Sequence, residues 1–380
     1  MSALDDYRAE LRREIDALAA AGLRRALVEP RGIDLVSNDY LGLATHPAIL
    51  ERMQRALADC GAGSGGSRLL RGHQRCFSDI EERLAAFCGA EAALLFSSGY
   101  SANVGLLQAL LAKDDLVLSD ERNHASLIDG IRLSGAQKTI YPHQDLAAIE
   151  RILRGPRPRR TFVVTESVFS MDGDVTPLRE LADLAARYDA LLIVDEAHAT
   201  GLYGTRGSGR VEEAGVRAQV LLTMHTGGKA LGTGGAWVAA SEVVCETLLN
   251  RARSFVFSTA PLPVLAAGLE AGLDVLPREP ERRAGVFRKA SLLRASLREA
   301  GWTVADDPSP IVPLIVGTNE AAVALQRALA EAGFDARAVR PPTVPPGTAR
   351  LRLTVRQPVA DEDFVRLARE VARRPPVPSR

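Results

Sequence analysis

A chain of 380 residues with 46% hydrophobic content is long enough to bury sizeable cores in a large domain plus a smaller one. Its 47 basic and 47 acidic residues cancel to zero net charge, which removes any general electrostatic case for nucleic acid or an anionic membrane surface. The four cysteines, Cys60, Cys76, Cys88 and Cys245, lack metal-like spacing and suggest buried free thiols rather than a disulfide scaffold, so no metal is expected.

The first expected element is a helix over roughly Ala3 to Leu27. Asp5, Asp6, Glu10 and several arginines leave it no apolar core of signal-peptide length. No uncharged apolar run in the chain is long enough to cross a bilayer, and a soluble cytoplasmic protein is expected.

From about Ala48 to about Val275, amphipathic helical stretches alternate with short apolar runs, the pattern of a parallel sheet built from βαβ units. Ile49, Leu50, Met53, Ala56 and Leu57 repeat with helical spacing just before Gly61-Ala62-Gly63-Ser64-Gly65-Gly66. That glycine run satisfies the dinucleotide fingerprint, but the fingerprint needs a strand before it, so a Rossmann dehydrogenase is not supported. Ser78 with Glu81 reads as a capping box opening a helix that stops near Gly89.

Ala93-Leu94-Leu95-Phe96 then reads as a strand running into Ser97-Ser98-Gly99-Tyr100-Ser101-Ala102-Asn103. A helical pattern follows through Val104, Leu107, Leu110 and Leu111. Such a junction presents free backbone amides and the positive helix end to an anion. The strand-like Leu116-Val117-Leu118 leads to Asp120 and on to Asn123-His124-Ala125-Ser126, placing an imidazole beyond another strand end. Arg154-Gly155-Pro156-Arg157-Pro158-Arg159-Arg160 reads as a solvated loop. Thr161 to Thr165 forms the next strand, entering Glu166-Ser167-Val168-Phe169-Ser170-Met171-Asp172-Gly173-Asp174, and Pro177 opens a helix with Leu178, Leu181 and Leu184 on one face.

Leu191-Leu192-Ile193-Val194 has no alternation, which suggests a strand buried on both faces. It ends in Asp195-Glu196-Ala197-His198. In open α/β sheets ligands bind just beyond carboxyl ends. A carboxylate there can hold a pyridine nitrogen protonated, and His198 can reach a phenolic oxygen on the same ring. After Val220 to Met224 comes Thr226-Gly227-Gly228-Lys229. Lys229 is one of four lysines, and an amine held beside bare backbone at a strand end suits Schiff-base formation with an aldehyde cofactor. Taken singly, each residue admits a plainer role: Asp195 as a turn cap, Lys229, His198 and His124 as loop residues. A phosphate-gripping NTPase is not supported, because Ala230 follows Lys229 where Ser or Thr should stand and Thr223 replaces the first glycine. There is no G-x-S-x-G elbow for a serine hydrolase.

Beyond Leu276-Pro277, a long helical segment from Arg283 to Leu297 leads into strands at Ile311 to Val316 and Ala349 to Thr354, which suggests a smaller α+β domain. The Pro-rich end from Arg373 reads as a frayed tail.

The run Ser37-Asn38-Asp39-Tyr40-Leu41-Gly42-Leu43, the Ser98-Gly99-Tyr100 turn, Asn123 to Ser126, Thr165-Glu166 through Asp174, Asp195 to His198 and Gly228-Lys229 occur together in the order found in the α-oxoamine synthases. The chain resembles that family, fold-type I enzymes using pyridoxal 5′-phosphate (PLP), from about Leu23 to about Thr354. The resemblance implies an α/β fold: a large domain (46–275) with a mostly parallel central sheet, a small α+β domain (276–380), and an amino-terminal helix and arm (1–45) packing near it. It also implies Lys229 as the Schiff-base lysine and base, Asp195 at the pyridine nitrogen, His198 and Ser170 at the phenolic oxygen, and His124 stacked on the ring. Gly99, Tyr100 and Thr226 would hold the phosphate, with Ser258 and Thr259 contributed by a second subunit of a homodimer.

Arg340-Pro341-Pro342 resembles the branch that takes L-alanine and a pimeloyl thioester, whether pimeloyl-CoA or a pimeloyl-acyl carrier protein. The segment Gly347-Thr348-Ala349-Arg350-Leu351-Arg352 is shared with sister enzymes that take glycine or serine, which is the alternative. Arg352 is the candidate for the amino acid carboxylate, since a guanidinium fork grips it in two places. Asn38, Arg24 and Arg340 are candidates for acyl and carboxylate contacts near the channel mouth, and Thr343 is a further substrate-binding candidate. Because the stretch from Arg24 to Asn38 is shorter than in the relatives, Arg25 stands as an alternative to Arg24.

Overall fold

The computed structural model describes residues 2–156 and 159–373. In chain order its strands are β1 (Ile33–Asp34), β2 (Ala92–Phe96), β3 (Leu116–Asp120), β4 (Gln137–Tyr141), β5 (Thr161–Glu166), β6 (Leu191–Asp195), β7 (Val220–Thr226), β8 (Ala236–Ala240), β9 (Ile311–Gly317), β10 (Phe334–Asp335), β11 (Ala338–Val339) and β12 (Ala349–Thr354). The chain divides into two compact units, Asn38–Ser170 with Asp174–Val286, and the described residues of Met1–Ser37, Met171–Gly173 and Phe287–Arg380. The sequence reading set these divisions at 45/46 and 275/276.

The larger unit is built on a seven-stranded sheet in the order β2-β8-β7-β6-β5-β3-β4. Only β8 runs antiparallel to its neighbours. The apolar runs lack alternation because both faces are covered: Phe162, Val164, Ile193 and Leu222 belong to one core cluster, and Val163, Leu192 and Val194 to another. The helix Arg75–Cys88 stops at Gly89, whose φ of +62° supplies the left-handed cap. Gly232 is required by close approach, since a Cβ there would lie 2.2 Å from the Ala44 nitrogen.

In the smaller unit, β11, β12 and β9 form an antiparallel sheet and β1 pairs in parallel with β10. The helices Asn319–Glu331 and Asp361–Ala372 bury Leu325, Leu329, Phe364 and Leu367 into the core shared with Leu314, Phe334, Leu351 and Leu353. Lys289 is buried on the helix Pro280–Glu299, where its ammonium donates to the Val359 carbonyl at 2.6 Å and to that of Gln357.

Several expectations are corrected. The amino-terminal helix spans Ala3–Ala20 and stops short of Leu27: Gly22 turns at φ +65°, and the Leu23 and Arg24 amides double back to the Leu18 carbonyl. No capping box forms at Ser78, which lies inside the helix that starts at Arg75. Glu81 instead grips Arg68 at 3.0 and 2.9 Å and accepts the Leu95 amide at 2.7 Å, so a part-buried bidentate pair replaces the local cap. Of the cysteines, Cys88 and Cys245 are buried, but Cys60 and Cys76 are partly exposed. In the loop read as solvated, Arg160 makes two bonds to the buried Asp115, at 3.0 and 2.7 Å, whereas Arg157 and Pro158 lie outside the described residues. The tail beyond Arg373 also lies outside them. Among the described residues no helix is long and apolar enough to cross a membrane.

Candidate active site

Because β2, β3, β5, β6 and β7 all run the same way, their carboxyl ends share one edge of the sheet. Each delivers polar residues there: Ser98 and Gly99 after β2, His124 after β3, Glu166 ending β5, Asp195 ending β6, Thr226 ending β7 and Lys229 three residues on.

Asp195 is 5% exposed, and both of its oxygens are held. The Ala197 amide donates to Oδ1 at 2.8 Å and Asn103 Nδ2 donates to Oδ2 at 2.8 Å. Asn103 comes from the helix Gly99–Leu110 and also donates to Ser126 Oγ at 2.9 Å. Ser126 Oγ lies 2.8 Å from His124 Nδ1, and the Ser126 amide donates to the same nitrogen at 3.2 Å. One network therefore ties the β6 carboxylate to the imidazole beyond β3. His124 is exposed, and its Nδ1 edge packs against Ser126. Burial pushes its pKa down, the Asp195 charge opposes this and the Lys229 ammonium adds to it, so the ring is neutral at pH 7.

Glu166 is buried, and its Oε1 accepts the His124 amide at 2.6 Å. Burial raises its pKa well above the ordinary carboxyl range, and the Asp195 charge adds to this against the pull of Lys229. His198 is 6% exposed, with Nδ1 2.7 Å from the Tyr40 hydroxyl, which also reaches Asn38 Oδ1 at 3.3 Å. Ser170 is half-buried at the end of the segment after β5, where Val168 bridges Val175 and the Phe169 amide donates to the Asp174 carbonyl.

Gly99 and Tyr100 open their helix behind the N-cap Ser98, so their amides have no intrahelical acceptor. The exposed Tyr100 ring is tied through its hydroxyl to Asp129. Thr226 Oγ1 donates to the Gly235 carbonyl at 3.1 Å and accepts the Gly228 amide at 3.2 Å. Lys229 is half-buried. Ser258 and Thr259 follow the helix Arg253–Val256, with the Ser258 hydroxyl bonded to the Thr259 carbonyl at 3.2 Å.

In the smaller unit, Arg352 is buried on β12 and donates to Thr354 Oγ1 at 2.9 Å. Arg24, Arg25, Arg340 and Thr343, with Arg327 and Arg337, line a cavity of about 940 Å³. Arg25 reaches Thr343 Oγ1 at 3.4 Å and Arg340 donates to the Gly22 carbonyl. Both arginines of the Arg24 and Arg25 alternative therefore face one cavity.

Sequence reasoning gave no role to Asn103, Ser126 or Tyr40. Asn103 carried a signal, being one helical turn beyond Gly99; nothing in the sequence paired Tyr40 with a residue 158 positions away.

The aminotransferase class I and II family model matches residues 30–370. The 8-amino-7-oxononanoate synthase of Anaeromyxobacter dehalogenans is 48% identical over 357 residues, covering 90% of this chain and 89% of that protein. The chain belongs to the 8-amino-7-oxononanoate synthase family. The family's protein from Geobacter sulfurreducens is 45% identical, covering 96% of this chain and 94% of its own. Among solved structures, the family's enzyme from Francisella tularensis superposes with a TM-score of 0.80 at 28% identity, over 90% of this chain and 97% of that one. Sphingomonas wittichii serine palmitoyltransferase superposes with a TM-score of 0.91 at 30% identity, covering 98% of both. Backbone likeness thus spans both enzyme types, whereas the relatives at 45–48% identity carry the 8-amino-7-oxononanoate synthase name.

Proposed function

We propose that the protein condenses L-alanine with a pimeloyl thioester to give 8-amino-7-oxononanoate, carbon dioxide and the free thiol, using PLP. The observation that carries this reading is the 48% identity over nine-tenths of the chain to an 8-amino-7-oxononanoate synthase. The strand-end residues fit the cofactor. Asp195 takes its hydrogen bonds from neutral donors, an arrangement suited to a cationic ring nitrogen, and the buried Asn103 Oδ1 beside it has no hydrogen-bond partner among the described residues. Free helix amides at Gly99 and Tyr100 suit a phosphate.

Carried at rest by the Lys229 amine, PLP would supply an electron sink for negative charge at the amino acid Cα once the amino acid nitrogen replaces that amine and frees it. Asp195 holds the proton on the ring nitrogen. His198 and Ser170 bind the phenolic oxygen, and the neutral His124 ring covers one face. Gly99, Tyr100 and Thr226 bind the phosphate, with Ser258 and Thr259 from a second copy in a homodimer. Lys229 takes the Cα proton from the amino acid and returns one after decarboxylation. Arg352 holds the amino acid carboxylate, while Asn38, Arg340, Thr343 and either Arg24 or Arg25 contact the acyl chain.

Loss of carbon dioxide makes the condensation effectively one-way. The test is the purified protein incubated with PLP, pimeloyl-CoA and alanine, glycine or serine in turn, with products identified by mass spectrometry. 8-Amino-7-oxononanoate formed from alanine is the expected result. Glycine or serine outperforming alanine would move the assignment to a sister synthase.

A further inference from the structure

Side chains alternate across a strand, so His225 on β7 lies on the face opposite Met224 and Thr226. It is 2% exposed and stacks on Trp237, with ring centroids 5.1 Å apart and planes within 7°. Each ring nitrogen has a hydroxyl neighbour: Nδ1 is 2.8 Å from Thr200 Oγ1 and Nε2 is 2.7 Å from Thr223 Oγ1.

The direction of these bonds follows by elimination. Thr200 Oγ1 lies 2.8 Å from the Glu196 carbonyl oxygen, a separation that is repulsive for two oxygens with no proton between them, which assigns the single hydroxyl proton there. Toward His225, Thr200 must then accept, and Nδ1 carries the hydrogen. In the neutral ring Nε2 becomes the acceptor of the Thr223 hydroxyl, whose oxygen in turn accepts from Arg217 Nη1 at 3.3 Å. Burial, helped by the Arg217 charge, pushes the His225 pKa down to about 3, which excludes the doubly protonated ring near neutral pH. The opposite tautomer would leave Nδ1 facing an oxygen with no proton to give.

The chain of bonds ends on the turn that follows β6. Besides the Thr200 hydroxyl, the Glu196 carbonyl accepts the amides of Ala199 at 2.9 Å and Thr200 at 2.8 Å. The Glu196 side chain, its pKa raised by burial to about 6, is fixed by Ser167 Oγ at 2.6 Å and by the Val211 and Arg210 amides at 2.6 and 3.0 Å. The residues immediately before and two after Glu196 are Asp195 and His198.

We infer that His225, locked as the Nδ1–H tautomer, is a positioning residue that holds the Glu196–Thr200 turn from behind the sheet and thereby sets Asp195 and His198. Its functional consequence rests on the reading of those two residues as cofactor contacts; the tautomer itself does not.

The test has two arms on the PLP-loaded protein. Two-bond ¹H–¹⁵N correlation of ¹⁵N-histidine-labelled protein should show His225 neutral and Nδ1-protonated from pH 5 to pH 9, and an Nε2–H ring or titration in that range overturns the inference. In the second arm, His225→Asn keeps a donor near the Nδ1 position, His225→Gln moves it toward Nε2 and His225→Phe removes it. Expected are a shifted pH midpoint of the bound cofactor's visible absorption and about tenfold lower kcat in the Phe and Gln variants, with Asn close to the parent on both. If the Phe variant does not fold, the comparison of Asn with Gln decides. Gln equal to or better than Asn, or a folded Phe variant unchanged in both readouts, overturns it. Because the absorption needs no acyl substrate, failure of the proposed reaction leaves this arm readable, and failure to bind PLP leaves the first.

Discussion

Asn103 Nδ2 donates to Asp195 Oδ2 at 2.8 Å across 92 residues of sequence, so the helix that opens at Gly99 also aims the carboxylate that ends β6. Two parts of the site, free amides for an anion and a carboxylate for a cation, are thereby held in one rigid frame.

Removing that amide leaves Asp195 with a single protein donor. Asn103→Ala is expected to cost about 1–3 kcal/mol of stability, the usual cost of leaving a buried polar group unmet. It is also expected to weaken PLP binding and lower kcat by more than about tenfold, measured by cofactor titration and steady-state rates. Unchanged cofactor affinity in a folded variant would count against the aiming role.

Lys229→Ala is expected to abolish turnover while leaving the far-ultraviolet circular dichroism of the fold intact. The visible absorption that marks a PLP-lysine linkage should be missing from the variant and present in the parent. Residual turnover above background would falsify the role of this amine.

Glu166 is held toward its protonated form by burial and by Asp195, and its oxygen accepts the His124 amide. Glu166→Gln keeps an acceptor of the same shape without a charge to bury. It should retain most of the activity and match or exceed the parent's thermal stability at pH 8, whereas Glu166→Ala should lose about 1–3 kcal/mol by leaving that amide without its partner. Calorimetry of both variants at one pH compares them directly; Gln as damaging as Ala would mean that the ionised carboxylate is needed.

His143 is clamped between Asp120, at 2.8 Å, and Asp174. Burial lowers its pKa, but the two carboxylates outweigh burial and raise it to about 9. A folded-state value above the unfolded one means that this contribution is fully present below about pH 6.5 and is lost as pH rises through about 9. On the order of 2–3 kcal/mol should disappear across that window. His143→Gln should flatten the fall in melting temperature between pH 7 and 9.5; an equally steep fall in the variant would place the titration elsewhere.

Much of the chemistry was legible because it is local. The runs Ala93 to Phe96, Thr161 to Thr165, Leu191 to Val194 and Val220 to Met224 mark strands of the sheet, and the polar residues after them fall where ligands meet such sheets. Helical spacing before Gly61 rejected a dinucleotide fold, and the helix Pro47–Cys60 lies there. The misreadings arose where a distant partner overrode a local rule: Ser78 with Glu81 matched a capping box, but Arg68 and the Leu95 amide hold Glu81.

Periodicity and turn residues act over a few positions, so residue order alone sets which functional groups stand at strand ends. Their partners come from the way the strands and helices pack. Placing β8 between β2 and β7 brings Trp237 to Cys88 and His225, and folding sets Tyr40 on His198 and Asn103 on Asp195. Those contacts depend on strand order and on which face each side chain takes, and a one-dimensional pattern carries no record of which strand becomes whose neighbour.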